Sequence, residues 1–284
     1  MGVSVFAPAK VNLFLHVVGK RADGYHLLDS LAVFPAIGDE VTVEPGDTLS
    51  LSLTGPTSAS LTAEPDNIVL KAARALAADA GIEPRAALTL TKRLPVASGI
   101  GGGSTDAAAA FHALAELWGL RTSGERLAAL GLAIGADLPV CLRRRPTRMA
   151  GIGEILEDVP PLPAFWMLLV NPGVALSTPA VFKARDAGFS DPMPLTETCP
   201  DLPTLAAALR LRSNDLTAPA QKLAPVIGEV LAAIEAQPGC QLSRMSGSGA
   251  TCFGLFASET QARAAEQALS RNHSGWWVGV GAVE

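Results

Sequence analysis

Between a run that alternates apolar and polar like a strand (residues 87–91) and a run with helical periodicity (about 104–118), the chain reads Pro95-Val96-Ala97-Ser98-Gly99-Ile100-Gly101-Gly102-Gly103-Ser104-Thr105. Four of five consecutive positions here are glycine. That much glycine costs more backbone entropy than a simple turn requires. The absence of side chains makes sense where something must approach the backbone closely. The helix behind the loop is expected to begin at Ser104 or Thr105, and its first turn presents unpaired N–H groups and the positive end of the helix dipole. Strand, glycine loop and helix N-terminus together make an anion site, and phosphate is its usual occupant. The loop is not a G-x-x-x-x-G-K-[ST] loop, because no lysine follows its last glycine. Nor is it a dinucleotide fingerprint, because the glycines are contiguous and no βαβ opening precedes them.

The charge balance constrains how such a site works. The chain has 284 residues with a net charge of −5, 49% apolar and 17% charged residues. It can bury a core, and it lacks the basic stripe of a nucleic-acid surface. An acidic protein that holds a polyphosphate must use backbone N–H groups, a helix terminus and a few well-placed lysines. Cys141, Cys199, Cys240 and Cys252 sit among apolar residues and form no C-x-x-C pair, so they read as reduced thiols of a cytoplasmic protein. The N-terminal apolar run contains Lys10 and has neither a charged n-region nor a cleavage site, so no signal peptide is expected. No apolar run is long enough to span a bilayer. The expected partner is a small molecule, with no nucleic acid and no membrane, and the expected state is a monomer or weak homodimer.

The length suits two domains. Strands are expected at 3–6, 11–18, 40–43, 49–53 and 87–91. A helix capped by Asp66 places Ile68, Val69, Ala72, Ala73 and Leu76 on one face and stops near Gly81. Thr122 and Glu125 fit a capping box for a helix that stops at Gly135. The proline-rich segment Asp158-Val159-Pro160-Pro161-Leu162-Pro163 marks a boundary, giving domains 1–157 and 158–284. Beyond it come a strand at 165–170, loops and short helices over 171–203, a helix at 225–237, a strand at 251–256, a helix capped by Ser258, and a strand at 276–280. The pattern is α+β.

Two further segments carry candidate chemistry. In Pro8-Ala9-Lys10-Val11-Asn12, the strand period puts Lys10 and Asn12 on one face, a polar pair on an otherwise apolar strand. In Gly135-Ala136-Asp137-Leu138-Pro139, Asp137 follows a helix; taken locally, it fits a turn or cap residue as well as a catalytic one. With the glycine loop, with Arg21-Ala22-Asp23-Gly24-Tyr25-His26 and with a second glycine cluster at Met245-Ser246-Gly247-Ser248-Gly249-Ala250, these segments resemble, in order and spacing, the GHMP kinase superfamily.

The resemblance covers nearly the whole chain. It implies a two-domain GHMP kinase fold, with an N-terminal domain like the second domain of ribosomal protein S5 and an α/β-sandwich C-terminal domain. It implies ATP and Mg²⁺ as cofactors, with the loop from Pro95 to Thr105 on the phosphates and Asn67 and Lys92 on the adenine side. Lys10 and Asp137 would be the catalytic pair, Asp137 as base and Lys10 assisting. The Arg21–His26 segment narrows the substrate to 4-diphosphocytidyl-2-C-methyl-D-erythritol of non-mevalonate isoprenoid synthesis, phosphorylated on its 2-hydroxyl. Asn12 would sit near that hydroxyl, His26 would read the cytosine, and Tyr25 and Phe182 would pack it. A homoserine- or mevalonate-type kinase, or a non-catalytic nucleotide-binding module, are the alternative readings. No carboxylate stands out as a magnesium ligand, and Ala97 and Ser98 occupy positions where many relatives carry glycine.

Overall fold

The computed structural model describes residues 2–61, 66–96, 98–186 and 188–284. Along the chain come β1 (Val3–Pro8), β2 (Val11–Lys20), β3 (His26–Val33), β4 (Gly38–Glu44) and β5 (Leu49–Thr54). Then follow α1 (Ile68–Ala80), β6 (Ala86–Thr91), α2 (Gly102–Leu117), α3 (Gly124–Ile134) and α4 (Leu138–Arg143). Next are β7 (Thr147–Gly151), β8 (Ile155–Asp158), β9 (Phe165–Asn171), α5 (Thr178–Lys183), α6 (Leu202–Arg210) and α7 (Thr217–Leu223). The chain closes with α8 (Val226–Glu235), β10 (Leu242–Met245), β11 (Cys252–Phe256), α9 (Glu259–Asn272) and β12 (Trp277–Val283).

The described residues fall into two compact units that interleave in sequence. One takes in those of Met1–Ala9, Gly38–Val96 and Gly101–Arg144, and the other those of Lys10–Ile37, Ala97–Ile100 and Arg145–Glu284. In the first, the sheet order is β1-β4-β6-β5, with β5 parallel to β6 and the other pairs antiparallel. Strands here show the alternation of a half-buried sheet: Val41 and Val43 are buried while Glu40 and Thr42 are less so. α2 lies against this sheet. Its alanines at 107–110, with Phe111 and Leu114, are fully or nearly fully buried, and their small side chains let the helix come close.

In the second unit there are two antiparallel sheets, β2-β3-β7-β8 and β10-β11-β9-β12. β9 is central in its sheet and is almost continuously apolar and buried, as a strand covered on both faces must be. Phe253 and Phe256 on β11 are wholly buried, each contributing about 1.5–3 kcal/mol by leaving water.

Several local expectations shift. α1 is capped by Asn67, whose side chain accepts from the Val69 N–H at 3.0 Å, and not by Asp66, which pairs with Lys71 at 3.4 Å. α3 is capped by Ser123 accepting from the Arg126 N–H at 3.2 Å, not by Thr122, because the chain turns helical one residue later. α2 starts at Gly102, two residues before Ser104, with Gly101 in the left-handed region at φ 64° as its N-cap. Ser258 does cap α9 as expected, and Gly81 closes α1 with φ 66°.

Candidate active site

Lys10 immediately precedes β2, and Asn12 is its second residue; both are buried, at 4% and 2% exposure. The Lys10 ammonium donates to Asn12 Oδ1 at 3.0 Å, so the strand period does bring the two side chains together. The backbone here is tied down on both sides. The Lys10 N–H donates to the Ile100 carbonyl at 2.9 Å. The Asn12 N–H donates to Ser246 Oγ at 3.1 Å, and that hydroxyl in turn donates to the Gly99 carbonyl at 3.1 Å. The Thr251 N–H reaches the Ser98 carbonyl at 3.1 Å.

The two glycine clusters of the sequence therefore meet backbone to backbone. Gly99 has φ 74°, and a Cβ there would collide with the Gly249 carbonyl oxygen; a Cβ on Gly247 (φ 53°) would come within 2.8 Å of the Gly99 carbonyl oxygen. Only glycine allows both the left-handed backbone and the contact. Asn214 steadies the second cluster by donating to the carbonyls of Met245 and Gly247, both at 2.8 Å. Residues 98–100 belong to this unit. Ala97 lies outside the described residues.

At the other end of β2, the hairpin to β3 carries the Arg21–His26 segment. The Arg21 N–H closes it on the Tyr25 carbonyl at 2.8 Å, Gly24 takes φ 92°, and Arg21 and Asp23 pair at 2.7 Å. His26 is the first residue of β3, and its ring stacks on Phe182 of α5 with centroids 4.6 Å apart and 20° between planes. Burial, then the charges of Lys20 and Arg185, hold its pKa below the ordinary histidine value, so the neutral imidazole is favoured. Tyr25 projects from the hairpin and is 60% exposed.

The first unit holds the other candidates. Gly101 to Thr105 form the start of α2. The first intrahelical bond is Thr105 N–H to Gly101 O at 2.9 Å, so the N–H groups of Gly102, Gly103 and Ser104 precede it, as an anion site needs. Beside them is a charged group that sequence reading did not anticipate. Lys92, buried at 2% exposure, donates to Asp39 Oδ2 at 2.5 Å and to Asp106 Oδ2 at 2.8 Å. A Cβ on Gly102 would lie 3.4 Å from the Lys92 ammonium. Asp39 Oδ1 accepts from the N–H groups of Arg93 and Leu94 at 2.6 and 2.8 Å, which fixes the chain entering the loop. Burial pushes Asp106 up to about 7; Lys92 pulls it down, but Asp39 adds to the rise. Burial opposes the charge on Lys92 too, yet the two carboxylates outweigh it and leave its pKa raised. Asp39 lies 53 residues from Lys92, and no sequence spacing marks that pair.

Pro95 and Val96 lead into the loop, with Val96 39% exposed. Asn67, expected near adenine, uses its side chain as the α1 cap. Asp137 stands at the N-cap position of α4, but its carboxylate does not serve as the cap; Pro139 occupies the first turn.

The two-unit α/β fold is that of a family of small-molecule kinases. The chain belongs to the GHMP kinases: residues 67–145 match the model of the GHMP kinases N terminal domain and residues 195–275 that of the GHMP kinases C terminal domain. It is accordingly an ATP-dependent small-molecule kinase. It is 60% identical, over 97% of its length and 96% of the relative's, to 4-diphosphocytidyl-2-C-methyl-D-erythritol kinase of Paramagnetospirillum magneticum. It is 55% identical to the protein of the same name from Rhodospirillum rubrum, over 96% of this chain and 90% of that one. A solved 4-(cytidine 5'-diphospho)-2C-methyl-D-erythritol kinase shares 34% identity and a TM-score of 0.78, with 99% of both chains covered. Homoserine kinase from Cytophaga hutchinsonii, at 16% identity and TM-score 0.70 over 100% of this chain and 94% of that one, shares the fold.

Proposed function

We propose that this chain transfers the γ-phosphoryl group of ATP to the 2-hydroxyl of 4-diphosphocytidyl-2-C-methyl-D-erythritol. The observation that carries the substrate is the 60% identity, across nearly the full length, to a relative bearing that name. The acceptor oxygen forms the new P–O bond, the bond from the γ-phosphorus to the ADP oxygen breaks, and the acceptor proton passes to the Asp137 carboxylate. Lys10 offers positive charge to the developing alkoxide, and Asn12 orients Lys10. Such a reaction asks for positioning and charge stabilisation more than covalent chemistry.

The ATP loop runs through Pro95, Val96, Ala97, Ser98, Gly99, Ile100, Gly101, Gly102, Gly103, Ser104 and Thr105, with the N–H groups of Gly102, Gly103 and Ser104 offered to the triphosphate. Asn67 and Lys92 shape the adenine side. Among the described residues, no cluster of three or more His, Cys, Asp or Glu side chains is arranged to hold a metal. Mg²⁺ bound with ATP would offset the negative charge of its phosphates. His26 reads the cytosine edge as a neutral imidazole, while Phe182 and Tyr25 supply aromatic surface. We assign 1–157 to ATP binding and catalysis and 158–284 to the C-terminal GHMP domain, in line with where the two family models fall. We read the reaction as cytoplasmic, with the four cysteines as free thiols.

The test is ADP release with Mg·ATP and three acceptors: the cytidine diphosphate methylerythritol, homoserine and mevalonate. Turnover with the first alone, lost in Asp137→Asn, is expected. Turnover with another acceptor would discard the roles given to His26 and Phe182, and tight ATP binding without any turnover would discard the whole reading.

A further inference from the structure

β2 does not pair evenly with β3. The register shifts between Asn12 and Phe14, so that Asn12 lies opposite Ala32 but Phe14 opposite Leu31 and Leu15 opposite Ser30. A bulge of this kind disrupts the ladder locally and re-aims side chains. Just past it sits Ser30, paired with Leu15 and 1% exposed. Its hydroxyl donates to the Phe14 carbonyl at 2.6 Å, and it lies 2.7 Å from the Asn12 amide nitrogen.

A serine hydroxyl has one proton. With that proton on the Phe14 carbonyl, Ser30 Oγ can only accept from Asn12, and the atom of Asn12 that faces it must be the NH₂ group. The amide oxygen is then turned to the Lys10 ammonium, its observed partner at 3.0 Å. The flipped amide would set its oxygen against a hydroxyl with no proton left to give, and its NH₂ against an ammonium. Each contact would be donor to donor or acceptor to acceptor, in a buried place where unmade bonds are costly.

We propose that Ser30 is a positioning residue for phosphoryl transfer: by fixing which end of the Asn12 amide faces Lys10, it sets where the Lys10 ammonium points. The inference rests on the catalytic role given above to Lys10. Ser30 is buried against Asn12 and the Phe14 carbonyl, and its effect passes through Asn12. The relay is short and wholly buried: Phe14 carbonyl, Ser30 hydroxyl, Asn12 amide, Lys10 ammonium.

Steady-state kinetics of Ser30→Ala, Asn12→Ala and the double variant, by ADP release, test it. Ser30→Ala should lower kcat about tenfold and leave both KM values within about twofold, the mark of an interaction used at the chemical step. In the Asn12→Ala background the same change should cost less than about twofold, because the relay is already broken. An equal loss in both backgrounds, or no loss of kcat in Ser30→Ala, overturns the proposal. If Ser30→Ala does not fold, Ser30→Cys keeps nearly the same shape with a much weaker donor and acceptor; it should lose kcat severalfold at unchanged KM, and wild-type kcat in it would equally overturn the proposal. Full activity in Lys10→Met and Asn12→Ala would instead remove the catalytic reading of Lys10 itself. The two failures are therefore distinct.

Discussion

Lys10 and Lys92 are both buried lysines beside the glycine loop's two halves, and they meet different side chains. Lys92 is clamped between Asp39 and Asp106 at 2.5 and 2.8 Å. Lys10 donates to the neutral amide oxygen of Asn12 at 3.0 Å. Acidic side chains hold an ammonium by charge as well as by hydrogen bonds, whereas an amide oxygen orients one by a hydrogen bond. The contrast sets a lysine built into an ion-paired cluster against the one proposed above to act at the chemical step.

The largest expected effect breaks the comparison from the Lys10 side. Lys10→Met should lower kcat by at least about 10³-fold, the scale of losing a main electrostatic contact to the transition state. Lys92→Met should act on stability, costing about 3–5 kcal/mol in urea unfolding, since two buried acidic side chains lose their counter-charge. An unchanged urea midpoint in Lys92→Met would erase the distinction.

A subtler effect concerns pH. Asp106 is raised to about 7 by burial, with Asp39 adding to the rise against the pull of Lys92, so the folded protein holds a proton there that the unfolded chain releases near the ordinary aspartate value. Between about pH 4 and 7 the native state binds more protons, and stability therefore falls as pH rises through that window and levels off above it. Asp106→Asn should remove this slope. Its urea midpoint should gain on the wild type from pH 5 to pH 8, and parallel curves would show that Asp106 ionises like an ordinary aspartate. The smallest effect belongs to Ser246→Ala, which takes away the hydroxyl joining the Asn12 N–H to the Gly99 carbonyl. It should cost about 1 kcal/mol, seen as a KM for ATP raised roughly fivefold.

Much of the site is legible along the chain because its causes are local. Contiguous glycines, positive-φ turns, the pairing of Lys10 with Asn12 across one intervening residue, and the Ser258 cap all depend on neighbours within a few positions. The caps assigned to Asp66 and Thr122 each missed by one residue, since Asn67 and Ser123 offer equivalent oxygens and only the exact start of the helix chooses between them. β3, β7, β8 and β10 left no clear alternation. His26–Val33 is flanked by strands on both sides and carries Asp29 and Ser30 among apolar residues, so its pattern is neither period two nor helical.

By itself, then, the sequence determined a glycine loop ahead of a helix, a lysine and an asparagine on one strand face, and membership of a kinase superfamily. Each is written in backbone freedom and short spacing. Tertiary structure alone decided the partners of Lys92, the seating of Gly247 and Gly249 against Gly99, the stacking of His26 on Phe182, and the turn of the Asn12 amide by Ser30. These contacts join residues 18 to more than 150 positions apart, except for the Lys92–Asp106 pair at 14. Hydrogen bonds and ion pairs act over about 3 Å, so they are fixed only once strand register and packing have brought those distant segments together.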